Sequence, residues 1–234
     1  MKAFVITVMH NQRSLDSAIE CIESCKKFGF EPQLYPAFTP KDNPHQVIDD
    51  MTGRKCYSRL KYEPRPECVA GTLASQMSLW YRCAADNEDY LILEHDARMV
   101  NPLPTEEYDG CMTLGKPSWG HPPPETKTGV QYLDEYTNFY GNHAILMKPE
   151  GARKILSYFS DPRDERPVLD PADLFLAQHR FPFLQKYVPY PFIVEDNFSL
   201  IQQWGQSIDI KTGINKDTYE VIDPDEDVHY SNNS

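Results

Sequence analysis

Glu94 and Asp96 stand two residues apart, directly after the run Tyr90-Leu-Ile-Leu93 and downstream of the polar stretch Asp86-Asn-Glu-Asp89. Four apolar or aromatic residues bounded by polar ones predict a short strand buried on both faces, which belongs in the middle of a sheet. Positions i and i+2 of an extended backbone share one side. The two carboxylates are therefore expected to project together past the strand's carboxyl end, with His95 turned the other way. Open α/β sheets bind their ligands beyond that end. Two oxygen donors there suit a hard divalent cation, which can neutralise a diphosphate such as that of a nucleotide-sugar. The competing reading is that the acids simply begin a solvated loop, and the spacing by itself favours neither. His95 is expected as a structural residue packed behind the strand; as a ligand, its imidazole would shift the choice towards softer ions.

The densest basic segment, Arg54-Lys-Cys-Tyr-Ser-Arg-Leu-Lys-Tyr-Glu-Pro-Arg65, interleaves five cations with two tyrosines. It reads either as a grip on an anionic substrate or as a solvated loop. The whole chain carries a formal charge of -12, which argues against a surface devoted to nucleic acid, because phosphate contact needs clustered Lys and Arg. At 234 residues, 40% hydrophobic and 25% charged, the chain describes a soluble globular protein of one domain with a sizeable core. No apolar run approaches a membrane span, and the stretch Met1-Lys-Ala-Phe-Val-Ile-Thr-Val8 is too short for a signal peptide. The expectation is an intracellular, cytoplasmic protein with no transmembrane segment. Its six cysteines show neither a CxxC pair nor finger-type spacing, so free thiols are expected, with Cys21 and Cys25 as packing residues four apart on a helix.

The elements that must position the acids follow from the pattern. Lys2 to Val8 predicts a central first strand. Asn11-Gln-Arg-Ser14 ends in a serine placed to cap a helix running through Lys27, with Ile19, Ile22 and Phe28 at roughly helical spacing. Glu31 to Phe38 predicts a second strand, and strand-helix-strand implies parallel pairing. Thr39 to Glu67 predicts a long irregular connection. A helix from about Cys68 to Ala85, with Leu73, Met77 and Trp80 inward, leads into the acidic strand. Cys111 to Leu114 predicts a strand, Gly115 to Gly129 a breaker-rich flap, Tyr140 to Met147 a glycine turn into a strand, and Pro149 to Phe159 a helix. Asp170-Pro-Ala-Asp173 opens another helix, and Tyr187 to Val194 reads as the last strand. The single domain is expected over residues 1–222, with 223–234 an acidic polar tail.

Taken in order, these segments resemble the glycosyltransferase family that includes lipooligosaccharide-synthesis galactosyltransferases and procollagen galactosyltransferases. The likeness lies in Val5-Ile-Thr-Val-Met-His-Asn-Gln-Arg13, Phe28 to Ala37, Gly71-Thr-Leu-Ala-Ser-Gln-Met-Ser-Leu-Trp80, Tyr90-Leu-Ile-Leu-Glu-His-Asp96, Tyr140-Gly-Asn-His-Ala-Ile-Leu146, Gly151 to Leu156 and Pro171-Ala-Asp-Leu-Phe-Leu176. It covers most of residues 3 to 195. His95 stands where the family has the first of two aspartates, and Leu79 where it usually has a histidine.

The resemblance implies a GT-A type fold: an α/β, Rossmann-like, mixed and mostly parallel sheet flanked by helices. It also implies a nucleotide-sugar donor, usually UDP-linked, and Mn²⁺ or Mg²⁺ bridging the acidic motif and the diphosphate. Asp96 is then the leading metal ligand and Glu94 a direct or water-mediated second that also faces the donor. His229 is a late-chain addition to the metal shell. Val8, Arg13, Ser75 and His143 are donor-binding positions, although His143 also suits a hydrogen-bonded core and Arg13 the surface. For inverting transfer, a carboxylate must take the acceptor hydroxyl's proton. Asp173 is the leading base, its competing role being to cap the following helix, with Asp170 as substitute. The acceptor stays open between a saccharide, a protein and a hydroxymethylated base of viral DNA, the last using the basic segment with Lys116 and Lys127 and stacking on Trp119 or Tyr57. A non-catalytic module that binds nucleotide or saccharide is the alternative from another class.

Overall fold

A computed structural model describes residues 1–63, 65–118, 125–135, 137–161 and 166–194. The chain begins with β1 (Lys2–Thr7), α1 (Gln12–Lys26), β2 (Gln33–Pro36), α2 (Pro44–Thr52), β3 (Tyr57–Ser58), α3 (Pro66–Asp86) and β4 (Tyr90–Glu94). It continues through β5 (Ala97–Met99), β6 (Cys111–Thr113), β7 (Gly129–Tyr132), β8 (Ala144–Met147), α4 (Pro149–Ser157), β9 (Val168–Leu169), α5 (Ala172–Phe175), β10 (Leu184–Val188) and β11 (Phe192–Val194). The main sheet has the order β2-β1-β4-β8-β6-β10-β7. β2, β1, β4, β6 and β10 run one way; β8 and β7 run against them. The fold is thus mixed α/β, with a mostly parallel sheet flanked by helices, and the expected opening crossover is present in β1-α1-β2.

β4 has the predicted interior place, between β1 and β8, and Tyr90 to Leu93 are all buried. Its side chains alternate between two cores. Tyr90 and Ile92 join Leu73, Met77 and Trp80 of α3 and Ile155 of α4; Leu91 and Leu93 face Ala18, Cys21 and Cys25 of α1 on the other side. Both faces are covered, which suits a parallel strand built of continuous apolar residues.

α1 differs from its expected form. Asn11, not Ser14, is its N-cap, accepting from the Ser14 backbone N–H at 3.0 Å, while Ser14 Oγ reaches back to accept from Val8 N–H. The buried face is Ser14, Ser17, Ala18, Cys21, Ser24 and Cys25, and Ile19 is 48% exposed. Small side chains are needed there because the short sheet β5-β11 packs beneath the helix. The six cysteines are free, as expected.

The expected irregular connection from Thr39 to Glu67 contains α2, started by Pro44 in its first turn and stopped by Gly53 at φ 65°. Its Ile48 is fully buried. The two-residue strands β3 and β9 then pair in parallel, so the basic segment is stitched to the chain just before α5. Two further strands, β5 and β7, lie outside the expected pattern, and the final predicted strand divides into β10 and β11 in different sheets.

α3 approaches the end of β2 closely. A Cβ on Gly71 would lie 2.4 Å from the Phe38 carbonyl oxygen, and Ser75 Oγ accepts from Phe38 N–H at 2.8 Å while donating to Gly71 O. Gly71→Ala should therefore push the helix off the sheet and cost about 1–3 kcal/mol. Urea unfolding checks this, and an unchanged midpoint would refute the close approach.

Candidate functional site

Glu94 continues the alternation of Tyr90 and Ile92 and so projects on the α3 side, where Gln76 Nε2 donates to its Oε1 at 3.2 Å. β4 stops there, and His95-Asp96 turn directly into β5. The expected geometry, two acids on one side of an extended strand, is replaced by a tight turn that brings Asp96 back towards Glu94. Their proximity shows in their electrostatics. Burial pushes the Glu94 acid well above the ordinary carboxylate range, and the charges of Asp96 and Asp173 push it further against the Gln76 hydrogen bond. Burial raises Asp96 as well, opposed by its own backbone N–H and by Arg98. Glu94 and Asp96 are each half-buried residues, and the Asp96 Oδ1 atom itself is shielded from solvent.

Three buried polar atoms around this point have no hydrogen-bond partner among the described residues: Asp96 Oδ1, Gln76 Oε1 and His143 Nε2. Each such atom costs about 1–3 kcal/mol if left unpaired. His143 sits across from Glu94 immediately before β8, the antiparallel partner of β4, its carbonyl accepting from Glu94 N–H at 2.9 Å. Its ring lies against Gly115, where a Cβ would come within 2.7 Å of both Cε1 and Nε2. Burial lowers its pKa to about 4, against a hydrogen bond to the Phe192 backbone, so the imidazole is neutral at pH 7. His95 is likewise lowered to about 4, by burial and then by Arg98.

The structure distributes the other sequence-derived candidates unevenly. Val8 follows β1 and Arg13 lies in the first turn of α1, both at the carboxyl edge of the sheet. Ser75 is fully buried, its hydroxyl accepting from Phe38 N–H and donating to the Gly71 carbonyl. Asp173 lies in the first turn of α5, where Pro171 is the N-cap, and its Oδ1 accepts from Leu174 N–H at 2.9 Å. Four residues cannot hold a helix alone; α5 is fixed by the fully buried Phe175, stacked on Phe159 at 5.4 Å and Trp80 at 6.0 Å. Asp170, the expected substitute base, has its carboxylate paired with Arg180 at 2.6 Å and Arg59 at 3.5 Å. His229, Trp119 and residues 223–234 lie outside the described residues, as do 195–222 of the expected domain.

No family model and no curated protein matches this chain. What the site can do is thus read from its own atoms. Among the described residues, no three His, Cys, Asp or Glu side chains converge closely enough to hold a metal by themselves. Two carboxylates with one unpaired oxygen fit a hard cation that takes its remaining ligands from phosphate and water, the habit of Mg²⁺ and ions like it. Beyond Gly115 and Gly141 the same rim opens into a recess lined by Tyr140, Asn138, Asp134, Glu125, Lys186 and Tyr190. Lys186 pairs with Glu125 at 2.9 Å, and Tyr190 donates to that glutamate. No helix among the described residues is long and apolar enough to cross a membrane.

Sequence reasoning overlooked Gln76 and Arg98. Gln76 carried a signal, a polar residue one position before the inward Met77 on an otherwise apolar helix face. Arg98 carried none, because β5 is only three residues long.

Proposed function

We propose that this chain is a metal-dependent glycosyltransferase of the GT-A type, moving a hexose from a UDP-linked or similar nucleotide-sugar to an acceptor hydroxyl. The carrying observation is the pair Glu94 and Asp96 at the tip of an interior strand, with Asp96 Oδ1 buried and unpaired among the described residues. The segments resembling the galactosyltransferase family also meet at this edge: the end of β1, the first turn of α1, the β4 tip and the Gly141-Asn-His143 turn before β8. When bound, Mn²⁺ or Mg²⁺ would neutralise the charge that develops on the departing diphosphate. Asp96 and Glu94 hold that position. Asp173, near enough for its charge to act on Glu94, accepts the proton of the attacking hydroxyl. The recess beyond Gly115 and Gly141 receives the acceptor, with carboxylates, an amide and two tyrosines suited to hydroxyl-rich ligands.

A DNA acceptor draws little support from the basic segment. Arg54 donates to the Phe159 and Asp161 carbonyls, Lys55 pairs with Asp49 at 2.7 Å, and Arg59 reaches Asp170. Those cations fasten the segment to the fold.

Thermal unfolding with Mn²⁺ and a panel of UDP-sugars tests the proposal, since a ligand that binds only the folded state raises its melting temperature. The shift should depend on pH. Carboxyls whose folded pKa is raised contribute stability that is complete below about pH 4 and is lost as pH climbs through the raised value. The metal-free protein should lose that contribution towards and past neutrality, while binding to the ionised pair strengthens. The Mn²⁺-induced shift should therefore grow from pH 5.5 to 8. A shift independent of pH, or no shift and no donor hydrolysis with any sugar, would reject the transferase in favour of a non-catalytic module.

A further inference from the structure

Arg98 is only 4% exposed, in a three-residue strand whose neighbours Ala97 and Met99 belong to the core beneath α1. Its Nη1 donates to the carbonyl of His95 at 3.2 Å and to that of Ala97 at 3.1 Å. Nη2 donates to Ser17 Oγ at 3.2 Å and to the Glu20 carboxylate, both on α1. Ser17 Oγ donates in turn to the same His95 carbonyl at 3.1 Å. The peptide between the two site acids is thus held from behind by an arginine and a serine that also hold each other. Glu20 is a weak reason for burying a guanidinium, because its side chain is 59% exposed and a half-solvated pair contributes little. An apolar residue would fill the strand without the desolvation cost of a charge. What only a planar, forked donor supplies is a rigid tie between α1 and the carbonyls on either side of Asp96.

We infer that Arg98, with Ser17 as its relay, is the positioning residue of the site, setting the direction of the Asp96 carboxylate through the His95 and Ala97 carbonyls. The inference rests on the transferase reading for the identity of the bound cation. Outer residues that orient a ligand typically change metal affinity 10–100-fold when removed.

The test is Mn²⁺ binding in the presence of UDP, followed by electron paramagnetic resonance on the full chain, for the parent protein and for Arg98→Met, Arg98→Lys and Ser17→Ala. The parent should bind. Arg98→Met should bind about 10–100-fold more weakly, Arg98→Lys should recover part of the loss, and Ser17→Ala should lose several-fold with its melting temperature little changed. Folded Arg98→Met that binds Mn²⁺ like the parent would overturn the inference and leave the transferase reading standing. If Arg98→Met does not fold, Ser17→Ala decides, and unaltered affinity there overturns it too. A parent protein that ignores Mn²⁺ with UDP removes the reading and the inference together.

Discussion

Asp96→Asn should lose about 10²–10³-fold in transfer, the range seen when a single stabilising group is removed from a reacting centre, while melting a few degrees higher than the parent without metal at pH 8. The two effects have one cause. Asp96 is held in surroundings that disfavour its charge, with one oxygen lacking a partner among the described residues and Glu94 close by. Asparagine keeps the shape and removes the charge. Because the parent's penalty appears only where the carboxyl ionises, the gain in melting temperature should shrink towards pH 5, where the parent's acid is itself neutral. Activity assays and thermal scans at the two pH values check both halves. An Asp96→Asn protein that still transfers sugar, or one no more stable than the parent at pH 8, would mean that Asp96 does not serve as a cation ligand.

Asp173→Asn should reduce transfer by about 10²–10⁴-fold, the usual contribution of a general base, with UDP and Mn²⁺ binding nearly intact. Its neighbour behaves differently. Asp170 lies between Arg180 and Arg59, so Asp170→Asn leaves a largely buried arginine without its partner and should cost about 3–5 kcal/mol in stability. One variant loses chemistry and keeps its fold; the other loses fold first. Product stereochemistry offers a second check, because a base for the acceptor hydroxyl implies inversion at the anomeric carbon. A retained configuration, or full activity in Asp173→Asn, would remove Asp173 from this role.

The interior of the sheet was legible because it depends on short-range pattern. Tyr90-Leu-Ile-Leu93 can be satisfied only between two covered faces, and Leu73, Met77 and Trp80 mark the helix that covers one of them. α1 misled at its surface. Ile19 looks like a core position and is exposed; Cys21 and Cys25 pack inward as expected, but the serines beside them bond to β5, a partner too short to announce itself. α2 was hidden by the prolines and charges around it, although Pro44 and Gly53 are ordinary start and stop residues. In the site, the two acids were found from their spacing, yet for an incomplete reason: the strand ends at Glu94 and a turn, not extension, brings Asp96 back. Arg59 beside Asp170 and Ser17 beneath the His95 carbonyl come from residues 111 and 78 positions away in the chain. No local pattern could have supplied them.

The close approach of Gly115 and Gly141 has a wider consequence. A Cβ on either would fall about 2 Å from the other's carbonyl oxygen (2.2 and 1.8 Å), so the two backbones touch where the chain has left β6 and where it turns into β8. The described residues between them carry the edge strand β7, the buried Leu133 and Phe139, and much of the wall of the neighbouring recess. Residues 126–128 are exposed and can change without moving β6 or β8, whereas β7, Leu133 and Phe139 tie the rest of the segment to the sheet and its core. That exposed stretch is where the surroundings of the recess can be altered while β4 and its two acids keep their place.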